Sequence, residues 1–125
     1  MASLFAKGRT MQLWSLLLVL ALSWAVPTLW RHREQQVWAE ALQARSRPGD
    51  IRLLSSRACV YCDRARAWLS QHQIPFEECF IETDAACQQR YQASGGRGTP
   101  TVLVRDSVQL GFDAQRVAFA LGAAL

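Results

Sequence analysis

The sequence predicts an α/β fold with a four-stranded mixed sheet, preceded by one transmembrane helix. Three observations support this prediction. Residues 10–30 carry no charged side chain and are rich in leucine, which is typical of a helix that crosses a bilayer. Residues 51–121 alternate between short apolar runs and segments of helical periodicity in the order β-α-β-α-β-β-α. The first β-α-β unit implies a parallel strand pair joined by a right-handed crossover.

Length and composition limit the chain to one small domain and an N-terminal segment. It has 125 residues, of which 50% are hydrophobic, and this is enough apolar material for one core. The net charge of +4 belongs to residues 1–47, because residues 48–125 balance eight basic against eight acidic side chains. A neutral globular part lacks the basic footprint of a nucleic-acid-binding protein. We therefore expect no nucleic acid among the partners.

The N-terminal segment is predicted to contain a tail (residues 1–9), a transmembrane helix (residues 10–30) and a juxtamembrane helix with a linker (residues 31–49). At about 1.5 Å rise per residue the uncharged helix is roughly 30 Å long, which matches the hydrocarbon thickness of a membrane. The alternative is a cleaved signal peptide, since Ser23-Trp24-Ala25 has the small-x-small pattern that precedes a cleavage site. We favour the anchor because the apolar run continues to Trp30.

Basic residues on the two sides of the span determine its predicted orientation. Lys7 and Arg9 precede the span, whereas four arginines between residues 31 and 47 follow it. Basic flanks tend to stay in the cytoplasm, so the C-terminal domain is placed there by a small margin and the face stays open. The expected location is therefore a single-pass position in a membrane, the bacterial inner membrane, with export after signal cleavage as the alternative.

A polar helix is predicted to connect the span to the domain over residues 31–46. An apolar stripe runs along this helix, formed by Val37, Trp38, Ala41 and Leu42. Glutamine and glutamate dominate its other faces, so we expect a solvated stalk, with packing on the domain or on lipid as alternatives. Ser46-Arg47-Pro48-Gly49-Asp50 then combines several turn-forming residues, and the domain boundary is predicted there.

The globular domain, residues 50–125, is predicted element by element from periodicity and turn residues. A strand over residues 51–55 leads into a helix over 59–71, and a second strand follows over 76–81. Thr83-Asp84 caps a helix over 85–93, which ends at Ser94-Gly95-Gly96. Strands over 101–104 and 108–110 form a hairpin around residues 105–107, and a last helix covers 113–121.

The chemistry of the chain concentrates at Cys59-Val60-Tyr61-Cys62, where the first strand leads into the first helix of the domain. A spacing of three residues places the two sulfurs close together, so a disulfide can form and open with little backbone movement. Free backbone N–H groups at a helix N-terminus favour a thiolate, and Arg57 adds positive charge nearby. We therefore predict that Cys59 is the nucleophile and that Cys62 resolves the mixed disulfide.

A Cys-x-x-Cys pair also occurs in metal sites, so a non-catalytic module that binds a metal or an iron–sulfur cluster is the alternative function. Cys79 and Cys87 form no second such pair, and neither His32 nor His72 has zinc-finger spacing. The strand-then-helix context favours redox chemistry and no metal. Cys79 and Cys87 are expected to be ordinary buried thiols. A disulfide between them is the alternative, favoured in an oxidising compartment.

Three segments resemble the landmarks of glutaredoxins, a family of the thioredoxin superfamily. They are residues 55–62, residues 95–101 and Gly111-Phe112-Asp113. The resemblance covers residues 50–123 and implies a thioredoxin-like fold. It also implies a cis bond between Thr99 and Pro100, with the Thr99 backbone presented to the thiol substrate opposite Cys59. From the residues alone, Pro100 is equally interpreted as a proline that begins a strand.

The same resemblance implies a thiol–disulfide oxidoreductase whose substrates are proteins that carry disulfides or glutathionylated cysteines. The implied contacts with glutathione or the substrate are Arg57, Tyr61, Arg97 and Asp113, beside Thr99 and Pro100. Val60 and the Gly-Phe-Asp element are similar to redoxins that serve ribonucleotide reductase and are recharged by thioredoxin reductase, whereas Tyr61 is similar to ordinary glutaredoxins. Both electron sources stay open: glutathione as a co-substrate, or a reductant of the thioredoxin-reductase type. No bound cofactor is expected.

Overall fold

The structure, a computed structural model, describes residues 2–124, with side chains from residue 11 onward. Its elements are α1 (Ala2–Arg45), β1 (Ile51–Ser55), α2 (Val60–Gln71), β2 (Glu77–Phe80), α3 (Ala85–Ala93), β3 (Thr101–Val104), β4 (Ser107–Leu110) and α4 (Ala114–Ala120). The predicted order of the domain is confirmed, and each predicted boundary from residue 51 onward lies within one residue of the observed one. Turn and cap residues explain this agreement, since they stop helices and strands at defined positions.

The four strands form one mixed sheet in the order β2-β1-β3-β4. β1 runs parallel to β2 and antiparallel to β3, and β3 runs antiparallel to β4. Leu54 pairs with Cys79 on one side and with Thr101 on the other, and Thr101 also pairs with Leu110. The chain segments that follow β1, β2 and β4 and the segment that precedes β3 therefore all lie at one end of the sheet. We call this the site end.

The opposite end of the sheet carries the β3–β4 turn. Ile51, the first residue of β1, pairs with Val104, and Val104 pairs with Ser107 across the turn. The Arg105 guanidinium lies 3.2 Å from the Asp50 carboxylate, and the hydrogen bond from Arg105 lowers the pKa of Asp50. This exposed ion pair therefore lies at the end of the sheet that is remote from the Cys59 loop.

The core lies between the central strands and the helices that cover them. β1 is apolar along most of its length because it is buried on both faces, and Ile51, Leu53 and Leu54 are fully buried. The other core contributors include Val102 and Val104 of β3, Ala65 and Leu69 of α2, and Val117 and Ala118 of α4. Each fully buried aliphatic side chain of this kind contributes about 1.5–3 kcal/mol to folding.

The chain divides into two compact units, Met1–Gln36 and Val37–Leu125. The first unit is the N-terminal part of α1, and its apolar side chains from Met11 to Trp30 are exposed. The Thr28 hydroxyl donates hydrogen bonds to the carbonyls of Trp24 and Ala25, at 3.1 and 2.8 Å, so it is satisfied inside the helix around Pro27. The helix is long and apolar enough to cross a bilayer, a property that signal sequences share.

The last turns of α1 belong to the second unit and form part of its core. Trp38 and Leu42 are buried, and the Trp38 ring meets Phe119 of α4 edge-on with 5.5 Å between the ring centroids. At the flank of the stripe, Val37 stays exposed. The predicted solvated stalk is therefore wrong, and the compact unit begins at Val37 rather than near Pro48. The reason is that Trp38 and Leu42, one turn apart, bury a large apolar area together.

Two polar contacts fix these turns of α1 to the domain. Gln43 donates a side-chain hydrogen bond to the carbonyl of His72, just after α2, at 2.6 Å. Arg45 donates to the carbonyl of Gly122, just after α4, at 2.9 Å. Both acceptors are carbonyls at helix C-termini, which have no partner within their own helix. The end of α1 thus satisfies the ends of two other helices while its apolar stripe fills the core.

Candidate active site

Cys59 and Cys62 form a disulfide at the N-terminus of α2, with 5.2 Å between their Cα atoms. Cys59 is the N-cap residue, with an extended backbone, and its Sγ accepts the backbone N–H of Cys62 at 3.1 Å. The side chain of Cys62 is fully buried, whereas Cys59 retains 8% of its surface. Cys59 is therefore the less buried residue of the pair, an asymmetry that a nucleophile and a resolving thiol require.

The electrostatic surroundings of Cys59 favour a negatively charged sulfur. The backbone N–H of Cys62, in the first turn of α2, points toward its Sγ, and helix dipoles stabilise anions at this position. Asp63 in the same turn would oppose a thiolate, but its carboxylate is paired with Arg66 at 3.0 Å. This ion pair reduces the opposing charge near the sulfur.

Glu82 holds the loop that leads into Cys59. It follows β2 at the site end, and its carboxylate accepts the backbone N–H of Arg57 at 3.1 Å and the hydroxyl of Ser56. The hydrogen bond from Ser56 lowers the pKa of Glu82. No local sequence pattern marks Glu82, because its partners lie 25 and 26 positions earlier.

A second network fixes α2 against the sheet. The Arg66 guanidinium donates two hydrogen bonds to Glu78 of β2, at 2.6 and 2.8 Å, and the buried hydroxyl of Ser55 donates a third at 2.7 Å. Burial would raise the pKa of Glu78, but the bonds from Arg66 and Ser55 outweigh it and the pKa is lowered. The network lies at the site end and orients the helix that begins at Cys59. The two adjacent glutamates of β2, Glu77 and Glu78, were the only sequence signal for it.

The loop before β3 lies at the site end beside the end of β1. The bond between Thr99 and Pro100 is cis, and Pro100 is fully buried. The carbonyl of Pro100 accepts the N–H of Gly111 at 2.8 Å, and the Thr101 hydroxyl donates to the carbonyl of Gly98 at 2.7 Å. The first bond joins the Thr99–Pro100 loop to the Gly111–Asp113 element, and the second lies within the segment around Thr99. Two of the three predicted landmarks are thereby brought into contact.

Asp113 is the N-cap of α4, and its carboxylate accepts the backbone N–H of Arg116 at 2.8 Å. Its role in the fold is therefore already defined, and the second carboxylate oxygen makes no hydrogen bond within residues 11–124. Glycine at position 111 is required by the backbone there, which has a φ of +73°. The element thus presents a carboxylate next to the Thr99–Pro100 loop.

The remaining predicted contact residues are exposed around this end of the sheet. Tyr61 is 69% exposed and its ring lies 5.6 Å from the guanidinium of Arg64. Arg57 and Arg97 are exposed, and neither guanidinium forms an ion pair within the part of the chain whose side chains are described. No bond joins either arginine side chain to Cys59, so their predicted role toward glutathione stays a prediction.

Cys79 and Cys87 are joined by a second disulfide, with 5.9 Å between their Cα atoms. The expectation of two ordinary thiols is therefore wrong, and the alternative pairing is the one observed. The short turn between β2 and α3 folds the chain back, which brings residues eight positions apart within bonding distance. No group of three or more His, Cys, Asp or Glu side chains that could hold a metal occurs among residues 11–124.

Comparisons with known proteins agree with this geometry. Residues 51–108 match the glutaredoxin family model. The thioredoxin-like protein BC3987 and a single-residue mutant of it are similar in structure, with TM-scores of 0.50 and 0.52 and 24% identity for both; the alignments cover 56% and 58% of this chain and 97% and 95% of theirs. A glutaredoxin from Archaeoglobus fulgidus gives a TM-score of 0.49 at 16% identity, over 59% of this chain and 87% of its own.

The fold and the active-site motif now lead to the same conclusion. The mixed four-stranded sheet with its covering helices is thioredoxin-like, and the Cys59–Cys62 pair lies inside the segment that matches the family model. A dithiol of this kind in such a domain makes the protein a thiol–disulfide oxidoreductase. Over residues 51–108 the chain carries a domain that matches the glutaredoxin family model.

Proposed function

We propose that this protein is a membrane-tethered oxidoreductase that reduces protein disulfides or glutathione mixed disulfides. The observation that supports it most is the unequal burial of the two cysteines at the start of α2. Cys62 is fully buried and Cys59 is 8% exposed, so Cys59 is the residue proposed to meet the substrate. The other sulfur is held within bonding distance for the second step.

The proposed reaction starts from the reduced dithiol. The Cys59 thiolate attacks one sulfur of the substrate disulfide; a new S–S bond forms, and the other substrate sulfur leaves as a thiol after taking up a proton. The Cys62 thiolate then attacks Cys59 Sγ, releases the substrate as its second thiol and leaves the Cys59–Cys62 disulfide. Two electrons have passed to the substrate. Two molecules of glutathione, or one dithiol of a reductase, restore the dithiol.

Charged groups around the site end suit the charged ends of glutathione. Arg57 and Arg97 are exposed guanidinium groups that would attract its carboxylates, and the carboxylate of Asp113 would attract its ammonium group. The backbone of Thr99 would meet the extended peptide beside the sulfur. This arrangement supports a glutathione mixed disulfide as a substrate. A protein disulfide could use the same contact with the Thr99 backbone.

The tether is proposed from the exposed apolar surface of α1. The large apolar side chains between Met11 and Trp30 are 47–77% exposed, and a patch of this size is unfavourable in water. A bilayer would cover the whole length of this segment, because roughly 20 helical residues span its hydrocarbon core. The basic residues at Arg31 and Arg33 would then lie at the polar surface.

The decisive experiment uses full-length protein in its membrane with Cys62→Ser as the test variant and Cys59→Ser as its control. Cys62→Ser retains the nucleophile but lacks the resolving thiol, so it should accumulate mixed disulfides that are visible on non-reducing gels. Cys59→Ser should accumulate none through the active-site pair, since Cys62 is fully buried and Cys79 and Cys87 are bonded to each other. Equal trapping by the two variants would refute the assignment of roles, and absence of trapping together with a bound metal would favour a metal-binding module.

A second measurement separates the two electron sources. Oxidised full-length protein is mixed with NADPH and either glutathione plus glutathione reductase, or thioredoxin reductase alone, and the loss of NADPH absorbance is followed. Reduction by glutathione should depend on Arg97, because its guanidinium is proposed to bind a carboxylate of glutathione. A rate unchanged in Arg97→Ala, with turnover by thioredoxin reductase intact, would favour the reductase as the electron source.

A further inference from the structure

The disulfide between Cys79 and Cys87 connects two elements on one side of the sheet. Cys79 lies on β2, the strand at the sheet's edge, and is half-buried. Cys87 lies in the first turn of α3 and is fully buried. The proposed catalytic cycle uses neither sulfur. How much this disulfide contributes to keeping α3 on the sheet depends on the other contacts of the helix.

Other contacts hold α3 weakly. Cys87 is its single buried residue; Gln88 and Tyr91 are half-buried, and the other six positions between Ala85 and Ala93 are exposed. No residue of α3 belongs to the hydrophobic core cluster of the described chain. Most helical stability in proteins comes from packing of an apolar face rather than from intrinsic propensity. In α3 the one fully buried residue is the one that is bonded to Cys79.

The end of α3 is directly connected to the substrate side of the proposed site. The N–H of Gly95 bonds to the carbonyl of Gln92 at 3.0 Å, and the N–H of Gly96 bonds to that of Tyr91 at 2.9 Å. Gly95, Gly96 and Gly98 all have positive φ, a backbone conformation that glycine adopts freely, and the bond from the Thr101 hydroxyl to the Gly98 carbonyl holds the other end of the segment. Its position is set by α3 at one end and by β3 at the other.

We propose that the Cys79–Cys87 disulfide is a redox-sensitive fastening of α3, and that its reduction releases the loop that carries Thr99. In the oxidised state α3 is held on the sheet and the loop has one shape. In the reduced state α3 and residues 94–98 open locally, while α2 and the Cys59–Cys62 pair stay in place on the core. The fastening itself does not depend on the proposed function; only its effect on turnover does.

The co-reactant of this switch is a dithiol. One thiolate of the dithiol attacks the Sγ of Cys79, the less buried residue of the pair; the Cys79–Cys87 bond breaks, and Cys87 leaves as a thiolate that takes up a proton. The second thiol of the reductant then attacks the first, which releases the Cys79 thiol and closes the disulfide of the reductant. Two electrons enter the pair, and an oxidised dithiol is the by-product.

The first test removes the active-site pair, so that reduction affects the second disulfide alone. Full-length Cys59→Ser/Cys62→Ser protein is suited to this, because serine is also a good N-cap for α2. It is incubated with graded dithiothreitol; alkylation mass shifts count the free thiols, and hydrogen exchange is measured by mass spectrometry. Amides of residues 85–98 should exchange at least about tenfold faster once Cys79 and Cys87 are free, while those of α2 and β1 should be unchanged.

Two results would overturn the proposal. Unchanged exchange over residues 85–98 after reduction would show that α3 is held by other contacts. Faster exchange across α2 and β1 as well would show that the disulfide stabilises the whole domain and is not a local fastening. Both results are independent of catalysis, so they judge the fastening even if the proposed oxidoreductase activity should fail.

The second test measures the effect on turnover in a Cys79→Ala/Cys87→Ala variant that retains Cys59 and Cys62. The KM for a glutathionylated peptide should rise several-fold, whereas the rate at which iodoacetamide alkylates reduced Cys59 should stay the same. An unchanged KM would refute the coupling between α3 and the Thr99 loop. A parallel loss of alkylation rate would place the effect at α2 instead, which also contradicts the proposal.

Discussion

Replacement of Leu42 by alanine tests the assignment of the last turns of α1 to the core. Leu42 is fully buried and belongs to the same core cluster as Ile51 and Val117. The substitution removes three carbon atoms and leaves a cavity that the surrounding helices and strands fill only in part. The same substitution at Leu20, which is 57% exposed in the same helix, is the matched control because it changes helix propensity equally.

The expected loss is about 2–5 kcal/mol, the usual cost of a Leu→Ala change at a fully buried position. A domain of this size is stable by about 5–15 kcal/mol, so the variant should remain folded at room temperature. Each kcal/mol lowers the melting temperature of a domain of 60–100 residues by about 4–8 °C. The transition of the Leu42→Ala protein should therefore fall by at least about 8 °C.

The assay follows full-length protein in detergent through a temperature series, with protease susceptibility of the domain as the readout. Leu20→Ala should melt within about 2 °C of the unmodified protein, since its side chain is 57% exposed. If Leu42→Ala and Leu20→Ala melt together, the end of α1 is not part of the core. The solvated stalk predicted from the polar faces of this helix would then be correct after all.

Three further predictions address the anchor, the ion pair below the site and the proposed contact at α4. Full-length protein should stay in the membrane fraction after carbonate washing; recovery of a soluble product that begins at Val26 would instead show a cleaved signal peptide. The pKa of Glu78 is lower in the folded protein than in the unfolded chain. The ionised carboxylate therefore stabilises the fold at any pH above the pKa of the unfolded chain, and this stabilisation is lost as the pH falls through the pKa of the folded protein. Urea midpoints should thus fall more between pH 7 and about pH 3 in the unmodified protein than in Glu78→Gln, and equal losses would contradict a contribution from the Arg66 pair. Asp113→Ser retains the N-cap but removes the charge, so it should raise the KM for a glutathione mixed disulfide and leave the melting temperature unchanged. Asp113→Ala should raise the KM and also lower the free energy of unfolding by about 1 kcal/mol. An unchanged KM in Asp113→Ser would exclude a contact between Asp113 and glutathione.

The elements of the domain could be predicted closely because their ends carry local chemical signals. Asp84 and Asp113 cap α3 and α4 through their own side chains, and glycines follow α3 within a few residues. These interactions span two to four positions, so sequence alone contains them. The position of Cys59 at the start of α2 was predictable for the same reason.

Features that depend on contacts between distant segments could not be predicted in this way. The stripe of Trp38 and Leu42 has the same periodicity whether it faces water, lipid or protein, and only the fold supplies Phe119 as its partner. The eight-residue spacing of Cys79 and Cys87 gives no indication of whether they pair, since pairing depends on the path of the turn between β2 and α3. Glu82 likewise has meaning only once β2 ends beside the Cys59 loop.

The two ends of the sheet differ in how well they should tolerate an attached label. Cys59, Glu82, Pro100 and Asp113 all lie at or next to the site end, whereas the β3–β4 turn lies at the other. Asp106, at the exposed tip of that turn, is therefore the position at which a fluorophore or a short epitope could be attached. A label there would report on the location and assembly of the protein in living cells while the sulfur chemistry proceeds undisturbed at the far end of the strands.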